Sequence, residues 1–192
     1  MAMPALQGRR WSLREVRQLI SDAPLATPRY ELVAGELLVT LSPAAVHQSA
    51  VGRLLISLDD YVRKNRIGVA YTSPFDVELE PETLVQPDVF VTSTPEATRL
   101  LTEMPARELL LAVEVISPSS ARYDRVTKRA LYQRHVSEYW VIDLNARLVE
   151  RWSPNDDRPE HIVDSLVWRP ESASEPFVLE LPGYFADVYL ER

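Results

Sequence analysis

Eight consecutive residues, LLLAVEVI (Leu109–Ile116), constrain this chain more than any other segment. The run is apolar at both parities of the strand period and is broken by Pro118, so it reads as a strand covered on both faces and central in its sheet. One member, Glu114, is a carboxylate. Burying an ionised carboxylate without partners is costly. A fold that accepts this strand must therefore bring other polar groups to Glu114, and the identity of those groups bears directly on function.

The periodicity of the rest of the chain supplies the elements around that strand. Ser12-Leu-Arg-Glu15 is a capping-box pattern that opens a short helix to about Asp22, with Pro24 ending it. YELVAGELLVTL, from Tyr30, reads as a hairpin about a Gly35-containing turn. Pro43 opens a long helix in which Val46, Ala50, Leu54, Leu58 and Val62 recur at helical spacing, and Gly68 follows its end. In SPFDVELE, Phe75, Val77 and Leu79 alternate with Asp76, Glu78 and Glu80, which predicts a half-buried strand. VQPDVFVTS predicts another, with Pro87 at its edge or start. A helix over about Tyr123 to His135 follows the central strand. Strands at Glu138–Asp143 and Leu148–Trp152 come next, joined across Asn145-Ala146. The remainder, including LPGYFADVYL, reads as edge strands and a terminal packing segment. Helices and strands in this order predict an α/β domain on a mixed sheet.

Composition narrows the function classes. The 192 residues suit one domain, 1–192, with a real core. No apolar run approaches a membrane span. The N-terminus lacks an apolar signal core, and there are no cysteines, so a cytoplasmic protein is expected, without disulfides or thiolate metal sites. A metal here would be held by oxygen or imidazole ligands. The net charge of −7 gives no global basic footprint for nucleic acid, so a role on DNA or RNA would need local cations or a divalent ion to offset phosphate repulsion.

Asp88 follows Pro87 on one strand, Glu114 lies on the next, and Lys128 lies on the helix after that. Carboxylates on adjacent strands can converge at one end of a sheet, and an all-oxygen pair suits Mg²⁺ or Mn²⁺. A nearby lysine can stabilise charge that grows on a phosphate.

A PD strand followed by an E-x-x strand resembles the PD-(D/E)XK nuclease superfamily, and more specifically the Uma2 family of restriction-endonuclease-like proteins. The matching pieces are YELVAGELL, SPAAVHQSAVGRL, QPDVFV, LAVEVISPSSARYDRVTKRALYQ and EYWVIDL. PD alone carries little information. VEVISPSS, then D-x-x-x-K, then EYWVID carries the resemblance. It implies a restriction-endonuclease-like core, with an N-terminal helix and hairpin and a C-terminal β extension. It implies a Mg²⁺- or Mn²⁺-dependent nuclease acting on nucleic acid, with DNA the expected substrate, Asp88 and Glu114 as metal ligands, and Lys128 as the catalytic cation. Two positions depart from the pattern. Ile116 stands where the E-x-K signature has lysine, which assigns that charge to Lys128. His135 stands where the family carries glycine, so that helix must close without one.

Each residue also has a plainer reading. Asp88 can be a turn aspartate after proline. Glu114 can sit in a structural ion pair with an arginine. Lys128 can be the exposed i,i+4 partner of Asp124, a contact worth about 0.3 kcal/mol. The helix carrying it also holds Arg122, Arg125, Arg129 and Arg134, either a solvated face or a groove wall for phosphate. His47, near the start of the long helix, is expected either to orient substrate or water beside the metal or to be a core histidine. Asp76 is a candidate third carboxylate, with a sheet-edge position as its alternative. Glu31 and Glu36 read as a solvated hairpin face with a ligand role open, and Ser117, Ser119 and Ser120 as loop-shaping and capping residues. A non-catalytic dimerising or nucleic-acid-binding module on the same fold is the competing class. A hydrolase of smaller phosphate esters is a third. An apolar face on the C-terminal strands makes a homodimer an open expectation.

Overall fold

The structure, a computed structural model, describes residues 9–22, 28–40, 42–118, 120–171 and 173–191, and the backbone alone of 2–4. In chain order it contains β1 (Ala2–Pro4), α1 (Leu13–Asp22), β2 (Arg29–Val33), β3 (Glu36–Thr40), α2 (Ala45–Lys64), β4 (Gly68–Thr72), β5 (Val89–Ser93), α3 (Thr94–Arg99) and β6 (Leu111–Ile116). Then come α4 (Ala121–Tyr123), a π-helical turn (Asp124–Lys128), α5 (Arg129–His135), β7 (Glu138–Asp143), β8 (Leu148–Trp152), β9 (Glu160–Ile162), β10 (Ser165–Trp168), β11 (Phe177–Glu180) and α6 (Leu181–Tyr189).

Six strands pair in the order β4-β5-β6-β7-β8-β9. β6 and β7 are parallel and the other neighbours antiparallel. The interior place of β6 is what its apolar run requires, and all of its residues are buried. The helical segment from α4 to α5 is the crossover that parallel β6 and β7 need. Side-chain alternation divides the sheet into two cores. Val89, Val91, Val113, Val115, Trp140 and Ile142 face α2 and α6. Phe90, Ala112, Ile116, Tyr139 and Val141 face Leu131 and Tyr132 of α5. A smaller third cluster packs Val16 of α1 on Leu32, Leu37 and Leu84. This is a mixed sheet flanked by helices, as expected.

Local chemistry explains the ends of the elements. Ser12 and Glu15 form the expected capping box, the Glu15 N–H donating to Ser12 Oγ while the Ser12 N–H and hydroxyl donate to Glu15. The β2–β3 turn holds Ala34 and Gly35 at φ 52° and 79°, the left-handed pair that a tight hairpin demands. Gly68 has a different role from the helix-ending one. Arg66, at φ 56°, closes the connection, and Gly68 opens β4, where a Cβ would lie 1.7 Å from the Thr92 carbonyl oxygen. The helix ending at His135 closes without glycine because Val136 steps to an extended conformation.

Some expectations require correction. SPFDVELE is not a strand. Val77 makes only isolated bridges with Val85 and Ala106, and Phe75 packs on Tyr71 and Phe90. Its alternation reflects burial of a loop against the sheet, and the edge strand is β4 instead. LPGYFADVYL, at the end of the remainder read as edge strands and a terminal packing segment, is a helix. Leu181, Tyr184, Phe185 and Val188 are buried at helical spacing, with Pro182 in the first turn, where a missing N–H costs nothing. The C-terminal β extension is thus the β10–β11 hairpin followed by α6. Pro24 and Ser119 lie outside the described residues. No described helix is long and apolar enough to cross a membrane.

Candidate functional site

Antiparallel pairing of Val89 with Val113 places residue 88 opposite residue 114. Asp88 and Glu114 therefore meet on one face of the sheet, the face packed by the segment α4 to α5. Both line a cavity of about 480 Å³ at the end of β6, together with Glu31, His47, Asp124 and Lys128. The cavity is closed on one side by the N-terminal end of α2, through Pro43, Ala44 and Val46.

Asp88 is only 2% exposed and is held by three groups. Arg29 Nη1 donates to Oδ1 at 3.0 Å, and both His47 Nε2 and the Val115 N–H lie 3.0 Å from Oδ2. Lys128, 3% exposed, points inward. Its Nζ lies 2.8 Å from Glu31 Oε1, 2.9 Å from Glu114 Oε1 and 3.5 Å from Asp124 Oδ1. Glu114 also accepts from the Tyr132 hydroxyl at 3.2 Å, and Glu31 from the Gln86 N–H at 2.8 Å. The π turn shapes this arrangement. The Arg129 N–H reaches back to the carbonyl of Asp124, one residue further than in an α-helix, and Asp124 and Lys128 both face the cavity while Val126 is exposed.

The charge balance of the cavity is acidic. Glu31, Asp88, Glu114 and Asp124 stand against Lys128 and Arg29. Burial, only partly offset by Lys128 and reinforced by the neighbouring carboxylates, holds the Glu114 carboxyl well above its ordinary range. Burial likewise raises Asp124 against the opposing Lys128 charge and Ser120 hydrogen bond. Burial also opposes ionisation of Asp88, but His47, Arg29 and the Val115 N–H outweigh it and hold Asp88 well below the usual carboxylate range. Lys128 is penalised by burial, yet Glu114, Glu31 and Asp124 keep it firmly protonated. Asp124 Oδ1 and His47 Nδ1 are buried without a hydrogen-bond partner. Among the described residues no group of three His, Asp or Glu forms a ready-made metal cage. Mg²⁺ characteristically takes only one or two carboxylates and completes its shell with water and substrate oxygens. The carboxyl oxygens of this set, which outnumber the cations beside them, are the donor type that a hard divalent cation takes.

The structure thus brings Asp88, Glu114, Lys128 and His47 together. It does not bring Asp76 to them. Asp76 accepts from the Gln86 side-chain amide at 2.8 Å and does not line the cavity. The partner of Glu114 is Lys128, not an arginine. Of the other cations of that segment, Arg125 pairs with Asp143 and Glu150, Arg129 lies over Trp152 and Arg134 pairs with Glu80, while Arg122 is exposed on α4. Glu36 is exposed on the hairpin, as read, whereas Glu31 is 1% exposed and part of the cluster. Ser117 and Ser120 hydrogen-bond to each other across the loop before α4. Sequence reasoning favoured a solvated hairpin face for Glu31, with a ligand role open, and took Asp124 only as the surface partner of Lys128. Asp124 was legible in the D-x-x-x-K spacing but reads equally as a surface pair.

Residues 15–181 match the family model Uma2, described as "Putative restriction endonuclease". The chain belongs to the Uma2 family. Among solved structures it is similar to a crystal structure of a "putative nuclease belonging to DUF820" from Anabaena variabilis ATCC 29413, with a TM-score of 0.72 and 21% identity over 93% of this chain and 99% of that one. At that identity the likeness is one of fold. No curated protein matches the chain.

Proposed function

We infer that this Uma2 protein is a divalent-metal-dependent nuclease acting on DNA. The observation that carries the reading is the cavity in which Glu31, Asp88, Glu114 and Asp124 outnumber Lys128 and Arg29. A buried cluster with more carboxyl groups than cations favours the neutral form of some of them when alone, and a dication would let them ionise and complete the cluster. Family membership supports the same reading. Asp88 and Glu114 would hold Mg²⁺ or Mn²⁺, with the Asp124 oxygen that lacks a hydrogen bond within the same cavity. When bound, such an ion polarises a phosphodiester and lowers the pKa of its water. Lys128 supplies the cation that Ile116 cannot, offsetting charge on the phosphate. Arg29, the Val115 N–H and His47, hydrogen-bonded through Nε2, together hold the Asp88 carboxylate in place.

Calorimetric titration of Mg²⁺ and Mn²⁺, paired with a plasmid-nicking assay in the same ions, tests this. A saturable site and ion-dependent nicking are expected, both lost in Glu114→Gln. One observation favours the non-catalytic reading: Lys128 is shared among three carboxylates, which by itself makes a coherent structural ion cluster. Absence of both heat and nicking would decide for that alternative.

A further inference from the structure

We propose that the cavity accepts an unpaired DNA strand and excludes an intact duplex. The proposal rests on the nuclease reading and narrows its substrate. Two observations carry it. The groups that would act on the phosphate are recessed: Asp88, Glu114 and Lys128 are all nearly fully buried, at the bottom of a cavity of about 480 Å³. That volume is of the size that encloses one small organic group rather than an extended surface. A phosphodiester within a stacked, paired duplex stands on a broad cylinder and cannot descend into such a space. A nucleotide freed from its partner can, as in enzymes that act on single strands or extruded nucleotides.

The second observation is the wall above these groups. Leu38, Pro43, Ala44, Val46, Leu144 and Tyr189 line it, an apolar surface suited to the face of a base. Among the described residues that line the cavity, Arg29 and Lys128 are the sole lysine or arginine side chains, and both are held in ion pairs, Lys128 buried and Arg29 partly so. A duplex surface is held chiefly by lysine and arginine contacts to phosphates on both strands. Neither of these two lining cations is free for that purpose. The cavity has a base-sized apolar wall leading to a carboxylate cluster, which suits one strand entering end-on or from a locally melted segment.

The test compares a single-stranded oligonucleotide, a fully paired duplex of the same sequence, and that duplex with an internal unpaired loop, all with Mn²⁺. Bis(p-nitrophenyl) phosphate reports the chemistry without a strand. The expected result is cleavage of the single strand and the looped duplex about tenfold or more faster than of the closed duplex, since the duplex must first be opened. Ala44→Trp, at an exposed position on the cavity wall, should slow single-strand cleavage by a similar factor while leaving the heat of Mn²⁺ binding unchanged. Equal rates on single strand and closed duplex overturn the proposal while leaving the nuclease reading intact. If neither DNA nor the ester is hydrolysed, the nuclease reading fails. Fluorescence anisotropy then decides the present proposal by itself: preferential binding of the single strand sustains it, and equal binding or none overturns it.

Discussion

Lys128 shows how far a residue's environment can depart from its sequence neighbourhood. The i,i+4 spacing to Asp124 suggests an exposed pair of small worth, yet Nζ is buried and lies closer to Glu31 and Glu114 than to Asp124. Removing one partner of a buried ion pair costs about 3–5 kcal/mol. Lys128→Met is therefore expected to destabilise the metal-free protein, and the loss should depend on pH. Glu114 and Asp124 have raised folded-state values, so the stability they contribute is present below their ordinary carboxylate range and is lost as pH rises through the folded values. Without Lys128 those values rise further. Each proton the folded state must then retain costs about 1.4 kcal/mol per pH unit above the unfolded value. Urea denaturation should show a small deficit at acidic pH that widens toward pH 8 and narrows again with Mn²⁺. A deficit constant across that range would mean that Lys128 stabilises only through its packed stem.

At the scale of an element, the π turn is the unit that joins helix and site. A π turn arises where one extra residue enters an α-helix and is retained where it places side chains usefully. Here it sets Asp124 and Lys128 toward the cavity, with the Asp124 carbonyl accepting from Tyr139 of β7 at 3.1 Å. Val126 within it faces solvent, so its deletion removes little core. Deleting Val126 should regularise the helix and convert Asp124 and Lys128 from an i,i+4 pair across a wide turn to an i,i+3 pair, changing how the Asp124 carboxylate approaches the cavity. The expected outcome is unchanged helical circular dichroism with divalent-cation affinity and nicking strongly reduced. Retained affinity would show that Asp124 is dispensable.

At the scale of the molecule, the charge is the unusual feature. A net charge of −7 and a cavity whose described lining cations, Arg29 and Lys128, are both held in ion pairs are unlike the surface of a protein that grips duplex DNA by counterion release. With six to ten phosphate contacts, affinity falls by about 10³–10⁵ between 50 and 200 mM salt. This protein should lose less than about tenfold over the same interval, because few counterions are released. Binding of a fluorescent single strand across a KCl series, with Ca²⁺ replacing Mn²⁺ to slow turnover, measures the slope. A steep slope would reveal phosphate-binding cations outside the cavity.

The sequence by itself determined the features that depend on local period and local chemistry. β7 and β8 lie where EYWVID and LVERW place them, the capping box at Ser12 opens α1, and the fully apolar character of β6 made it interior. Alternation allowed Asp88 to meet Glu114 if their strands were neighbours, and the family resemblance rather than helical spacing assigned Lys128 to them. Tertiary structure decided the rest. Glu31 looks like a hairpin-surface residue because nothing near it in the chain shows that Lys128 will cover it. SPFDVELE alternates like a strand, but β4 takes the sheet edge beside β5, and Val77 is left with isolated bridges. LPGYFADVYL satisfies more than one pattern until α2 offers the surface that selects its helical one. Periodicity is a property of neighbours along the chain, and the chain carries it in full. The protonation, pairing and burial of a charge depend on groups that folding brings in from distant elements, so the acidic surplus of the cavity exists only once β2, β5, β6 and the π turn have met.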